Sequence, residues 1–201
     1  GFFFETRGAA SATVHFTSCG FSNNVTQGIQ ASALAQSVLS VTVTNCAFAN
    51  NNEGVVLVNA NDADIVFDLN GNAFFNNLAT GASGAAIAAV NATTVTPSAI
   101  YSGKIRNNTI NGGGIDNHLV TVLLAGAGQN TLSVQNNLIS AANAQFSGIF
   151  IQAGETGSGN LNANVAVTSN TVSVGSLGSH GIVLQSRIAS TLCAEIAGNA
   201  A

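Results

Sequence analysis

Charge is what this chain has least of. Only 6% of its residues are Asp, Glu, Lys or Arg, against about 25% in ordinary soluble domains. Four cations, Arg7, Lys104, Arg106 and Arg187, are scattered over 201 residues, and the net charge is −4. A nucleic-acid surface needs a clustered basic footprint to neutralise phosphates, and an electrostatic membrane anchor needs one too. Both are excluded. No apolar run reaches the ~18 residues of a membrane-spanning helix. Cysteine is sparse and odd in number, at Cys19, Cys46 and Cys193. That is neither a disulfide framework nor a Cys-x-x-Cys pair for zinc or redox work. No basic-then-apolar leader opens the chain, and its first residue is Gly rather than Met. This suits a processed product or a piece of a longer chain.

What is present is aliphatic and neutral polar. Hydrophobic residues make up 46% of the chain, and 26 residues are asparagine. Disorder needs high net charge and few β-branched residues, so this composition folds. Its solubility rests on amides and hydroxyls.

The chain repeats itself. Short alternating runs such as Val41-Thr-Val-Thr lead into a polar residue, a spacer and a large apolar residue. That triplet recurs as Cys19-Gly-Phe21, Cys46-Ala-Phe48, Asn72-Ala-Phe74, Asn108-Thr-Ile110, Asn137-Leu-Ile139 and Asn170-Thr-Val172, with Asn199 opening a seventh. The spacings are 27, 26, 36, 29, 33 and 29 residues. A period of this length marks stacked units that cannot bury their apolar faces alone. Period-two alternation, β-branched residues and many Gly and Asn exclude helical repeats. Two strands are readable in each unit. One runs into the polar residue, as Val14 and Phe16, Ile65, Phe67 and Leu69, or Ile100 and Ile105. The other usually starts at glycine, as in Gly28-Ile, Gly54-Val-Val, Gly84-Ala-Ala, Gly148-Ile and Gly181-Ile. Coils stacked at ~4.8 Å place like residues over like, so the asparagines are expected to form a hydrogen-bonded ladder. Cys19 and Cys46 take its first two rungs as small buried thiols. A disulfide between those rungs is the alternative that this spacing allows. Cys193 falls on an outward position.

Strand, Asn-x-apolar, Asn-rich turn and Gly-apolar strand together resemble the right-handed parallel β-helix repeat of the pectin-lyase-like superfamily, over residues 13–199. In its non-enzymatic form the pattern is similar to passenger regions of bacterial surface and autotransporter proteins. The expected fold is all-β: a right-handed parallel β-helix, or β-solenoid, of about six to seven coils with an Asn/Cys turn ladder. Residues 1–12 are expected to be a partial coil or a plug. Residues 13–201 are expected to be one β-helix domain, open at its C-terminal end.

Enzymes of the superfamily cut acidic polysaccharides with clustered Asp residues, or with Asp, calcium and a basic residue. The corresponding cluster here is Asp62, Asp64 and Asp68, with Lys104 and Arg106 in the matching strand of the next coil. Asp64, Asp68 and Lys104 are therefore the candidate catalytic set. The bland alternative is solvated charge with a cross-coil ion pair, which stabilises little. Ser179-His-Gly-Ile182 and Arg187-Ile188 are similar to elements of the polygalacturonase-type hydrolases. Yet Ser replaces the first Gly, no Lys follows Ile188, and the paired-Asp elements are missing. His180 shares its repeat position with Ser147, Ser83, Glu53 and Gln27, and so reads as an ordinary exposed position. Gly112-Gly-Gly-Ile-Asp116 is one half-turn of a calcium-type repeat, which needs several in tandem. His15 points outward, and His118 near Asp116 is not a metal site. Asn24, Asn91 and Asn107 fit the glycosylation acceptor pattern, which chance explains in a chain this rich in Asn and Thr.

The expected function is a non-catalytic structural or adhesive rod of a secreted or cell-surface protein. No cofactor or metal is expected. Its expected partners are copies of itself stacked end to end, or extracellular glycans, and neither nucleic acid nor the membrane interior. The alternative is a polysaccharide lyase or hydrolase, or its inactive remnant.

Overall fold

The computed structural model describes residues 1–60, 62–77, 86–91, 99–112, 118–125, 128–141, 146–154, 161–175, 180–187 and 190–201. Among them there is no helix, and all twenty strands pair in parallel. The first coil holds β1 (Phe2–Arg7), β2 (Ser11–Thr17) and β3 (Gly20–Ser22). The second holds β4 (Gln27–Leu34), β5 (Val38–Thr44) and β6 (Ala47–Ala49), and the third β7 (Glu53–Ala60), β8 (Asp64–Asn70) and β9 (Ala73–Phe75). Next come β10 (Ile87–Asn91), β11 (Ile100–Arg106) and β12 (Thr109–Asn111), then β13 (Val120–Leu124), β14 (Gln129–Gln135) and β15 (Leu138–Ala141). The sixth coil is β16 (Ile149–Ala153), β17 (Leu161–Thr168) and β18 (Thr171–Val174), and the seventh is β19 (Ile182–Ser186) and β20 (Ser190–Ala197).

Each coil gives one strand to each of three sheets. The first sheet runs β1-β4-β7-β10-β13-β16-β19, the second β2-β5-β8-β11-β14-β17-β20, and the third, of six short strands, β3 to β18. The result is a parallel β-helix of six three-strand coils and a two-strand seventh, roughly 30 Å along its axis at the usual strand spacing. The expected coil number is met. The expected two strands per coil are corrected to three. The missing one follows each rung, as in Ala47-Phe48-Ala49, and three residues are too few for a period of two to show.

Residues 2–7 are the first strand of the first sheet, in register with β4 from Phe2↔Ile29 to Arg7↔Leu34. Inside the coils, like stacks on like. Phe21 lies over Phe48 and Phe48 over Phe74, with centroids 5.1 and 4.8 Å apart and planes within 10°. This column explains the glycines near the start of β4 and β7. A Cβ on Gly28 would lie 2.7 Å from Phe48 Cδ1, and one on Gly54 would lie 2.6 Å from Phe74 Cδ1. The aromatic edge occupies the place of the missing side chain. At Gly148 it is Val172 Cγ1 that a Cβ would meet. Gly84 lies outside the described residues. In the fourth coil the expected inward pair Ile100 and Ile105 needs correcting. Ile100 is exposed, and Tyr101, Gly103 and Ile105 point inward. Counting back three, five and seven residues from Asn108 selects those positions, so the rung sets the parity.

Candidate functional site

The rungs bring together the residues named from the repeat. From Asn72 onward, each backbone N–H and side-chain amide donates to the next rung's Oδ1 at 2.9–3.1 Å, through Asn108, Asn137, Asn170 and Asn199. The second amide hydrogen reaches back to the preceding coil: Asn72 to Val43 O, Asn108 to Leu69 O, Asn137 to Ile105 O and Asn170 to Val134 O, each at 2.9 Å. A buried amide has two donors and an oxygen to satisfy, and this arrangement satisfies all of them. The residue before each rung bends the chain with positive φ: Ser18, Asn45, Gly71, Asn107, Asn136, Ser169 and Gly198. Asn, Ser and Gly tolerate that conformation best. At the head of the ladder Cys46 N–H donates to Asn72 Oδ1 at 2.9 Å, and Cys19 N–H to Cys46 Sγ at 3.3 Å. All three cysteines are free thiols; Cys46 is buried, and Cys193 is exposed on the outer face of β20. Burial raises the Cys46 thiol above its ordinary range.

A second ladder went unread in the sequence. Asn24 donates through N–H and Nδ2 to Asn51 Oδ1, at 3.1 and 2.7 Å, and Asn51 likewise to Asn77 Oδ1, at 3.1 and 3.1 Å. It stands five residues past each rung of the first, and again follows positive-φ residues, Asn23, Asn50 and Asn76. In the first three coils the short third sheet is thus bracketed by two ladders, Cys19, Cys46 and Asn72 on one side and Asn24, Asn51 and Asn77 on the other.

The candidate catalytic set lies on the outer face of the second sheet. Asp64 and Asp68 share that face, four residues apart on β8, which places their Cα atoms about 13 Å apart. Glycoside hydrolysis needs carboxyl groups about 5–9.5 Å apart. Both are occupied. Asp64 Oδ1 accepts the Ile100 N–H at 2.7 Å. Asp68 accepts from Arg106 through both oxygens, Nε–Oδ1 at 3.0 Å and Nη2–Oδ2 at 2.6 Å. The carboxylate holds the Arg106 guanidinium above its ordinary range by hydrogen bond and charge. Lys104 is the direct cross-strand partner of Asp68, yet it makes no ion pair among the described residues. Lys104, Asp68, Ser40, Thr42 and Ser102 line a shallow depression of about 120 Å³. A wider groove of about 470 Å³ lies on the same face towards the C-terminal end. Thr131, Ser133, Gln135, Asn164, Cys193 and Glu195 are in its wall.

The column holding His180 is not uniformly exposed, which corrects the sequence reading. Glu53 and Ser147 are buried. Gln27 Nε2 donates to Glu53 Oε2 at 2.7 Å. His118 stacks on Phe150 at 4.3 Å and accepts the Ser147 N–H at Nδ1, 3.1 Å. Burial disfavours its protonated form and holds its pKa below the ordinary histidine value. A strand start in this coil is a corner, where a side chain folds over its neighbour instead of into solvent. His118, Phe150, His180 and Gln185 border a recess of about 360 Å³. Residues 113–117 of the calcium-type half-turn, together with Ser83, Ser179 and Ile188, lie outside the described residues. Among those described, no three His, Cys, Asp or Glu gather as a metal site would require, and no helix is long and apolar enough to cross a membrane. No protein-family model matches the chain, and neither a curated protein nor a solved structure matches it.

Proposed function

We propose that the chain is a non-catalytic β-helix rod of a secreted or cell-surface protein, of the kind found in pectin-lyase-like folds and autotransporter passenger regions. One observation carries this reading: what repeats from coil to coil is the machinery that holds coils together, while the outer faces carry unrepeated neutral groups. The carboxylates on the second sheet support it, since Asp64 caps a backbone N–H and Asp68 is paired with Arg106. The partners under this reading are extracellular glycans, met through the hydroxyl and amide groups of the groove around Asn164. A second copy set on the edges of β19 and β20 is the other partner, where inward-pointing Ile196 is 60% exposed.

The second reading, a polysaccharide lyase or hydrolase, draws on one feature: Lys104 stands directly beside Asp68 in a polar depression. One experiment separates the two. The protein is incubated with acidic polysaccharides across pH, with and without calcium. The expected result is no release of reducing ends or unsaturated sugars. Release that vanishes in Asp68→Asn or Lys104→Ala, with the fold intact, would replace the rod by the enzyme.

A further inference from the structure

We infer that Cys19 and Cys46 are a paired oxidation site, converted by a small-molecule disulfide into an intrachain disulfide that ties the first coil to the second. The inference stands on the geometry of two ladder rungs and is independent of the function proposed above. The residues on either side are in register, Thr17 with Thr44 and Gly20 with Ala47, so the two cysteines face each other across adjacent coils. Parallel neighbours lie about 4.8 Å apart, inside the Cα separation of roughly 4.4–6.8 Å that a disulfide accepts. Cys46 Sγ already lies 3.3 Å from the Cys19 nitrogen.

These rungs are also the ones that lack the amide tie. Asn72 reaches back to Val43 O in the preceding coil. The Cys46 thiol instead donates within its own coil, to Thr44 O at 3.4 Å, and Cys19 does the same to Thr17 O at 3.4 Å. A covalent bond supplies the connection that asparagine makes in every later coil. Exposure sets the order of events. Cys19 is half-buried and Cys46 buried, so Cys19 meets the oxidant first. Its thiolate attacks one sulfur of glutathione disulfide, and one glutathione leaves as the thiolate. Cys46 then loses its proton, attacks the Cys19 sulfur and expels the second glutathione. Two protein thiols are oxidised, one small disulfide is reduced to two thiols, and two S–H protons pass to them. Cys193 sits on β20, five strands from β5 and six from β2 in the second sheet, about 24 Å or more at the usual spacing. It cannot compete within the chain.

The test uses Cys193→Ser in the folded state, treated with glutathione disulfide, alkylated and read by intact mass and peptide mapping. Expected is a chain lighter by two hydrogens, with Cys19 and Cys46 cross-linked and no glutathione retained. Cys46→Asn in the same background restores an amide rung, and is expected to stay folded and keep one glutathione on Cys19. Amide exchange across residues 1–22 is expected to slow on oxidation of the parent. Retention of two glutathiones overturns the pairing. Two thiols left free while the unfolded chain reacts fully overturn it as well, as does unchanged exchange after cross-linking.

Discussion

Asn108 occupies a middle rung, and its side chain has no spare capacity. It donates to Leu69 O and Asn137 Oδ1 and accepts from the Asn72 backbone and amide. Asn108→Ala strands the Asn72 N–H and one Asn72 amide hydrogen in a buried place. Each such group costs about 1–3 kcal/mol, so a loss of about 3 kcal/mol or more is expected in denaturant titration. A substitution at the outward Thr109 should cost a few tenths. Such rungs were legible because Asn-x-apolar recurs at solenoid spacing. The partner ladder at Asn24, Asn51 and Asn77 had a signal too, a constant offset of five residues. It was lost among other asparagines, since Asn serves equally as a rung and as the bend before one.

At the scale of the element, the longer strands announced themselves by alternation, and the three-residue strands did not. Yet the short sheet carries the largest stacked side chains. Phe48 is fully buried between Phe21 and Phe74 and rests on Gly28. Phe48→Ala should cost about 3–5 kcal/mol, the usual price of emptying a core aromatic site. In a double-mutant cycle with Phe74→Leu, the two are expected to couple by about 0.5–1.5 kcal/mol, as contacting rings do. Additive losses would mean that the rings merely share a column. The charged cluster was legible only in part. Sequence placed Lys104 beside Asp68, and the structure agrees on the neighbour. Arg106, two residues on and on the same face, takes the carboxylate because its guanidinium offers a two-pronged fit that an ammonium lacks.

For the molecule as a whole, sparse charge leaves few groups to make stability depend on pH. Burial lowers His118, so on acidification the unfolded chain takes up that proton first. Stability should fall from about pH 6.5 downwards, until the folded value is passed. Burial raises Cys46 and Tyr101, so on the alkaline side the unfolded chain releases those protons first. Losses should begin near pH 8.5 for the thiol and near pH 10 for the phenol. Unfolding free energies at fixed ionic strength should therefore show a plateau between about pH 6.5 and 8.5. His118→Gln should make the acid side shallower, and an unchanged slope would assign it to other groups. The ladder also has a direction, because each rung donates towards the C-terminal end and its first two members are sulfur. At that end the rung-to-rung contact is to sulfur, Cys19 N–H to Cys46 Sγ at 3.3 Å, while Asn199 at the other is anchored to Val167 O at 2.7 Å. A tether pulled from both ends in an optical trap should give way first at the N-terminal coil, releasing roughly 90 Å of slack. With both thiols reduced, the stack would then have its mechanical weak point at its first coil, and the cross-link between Cys19 and Cys46 would remove it.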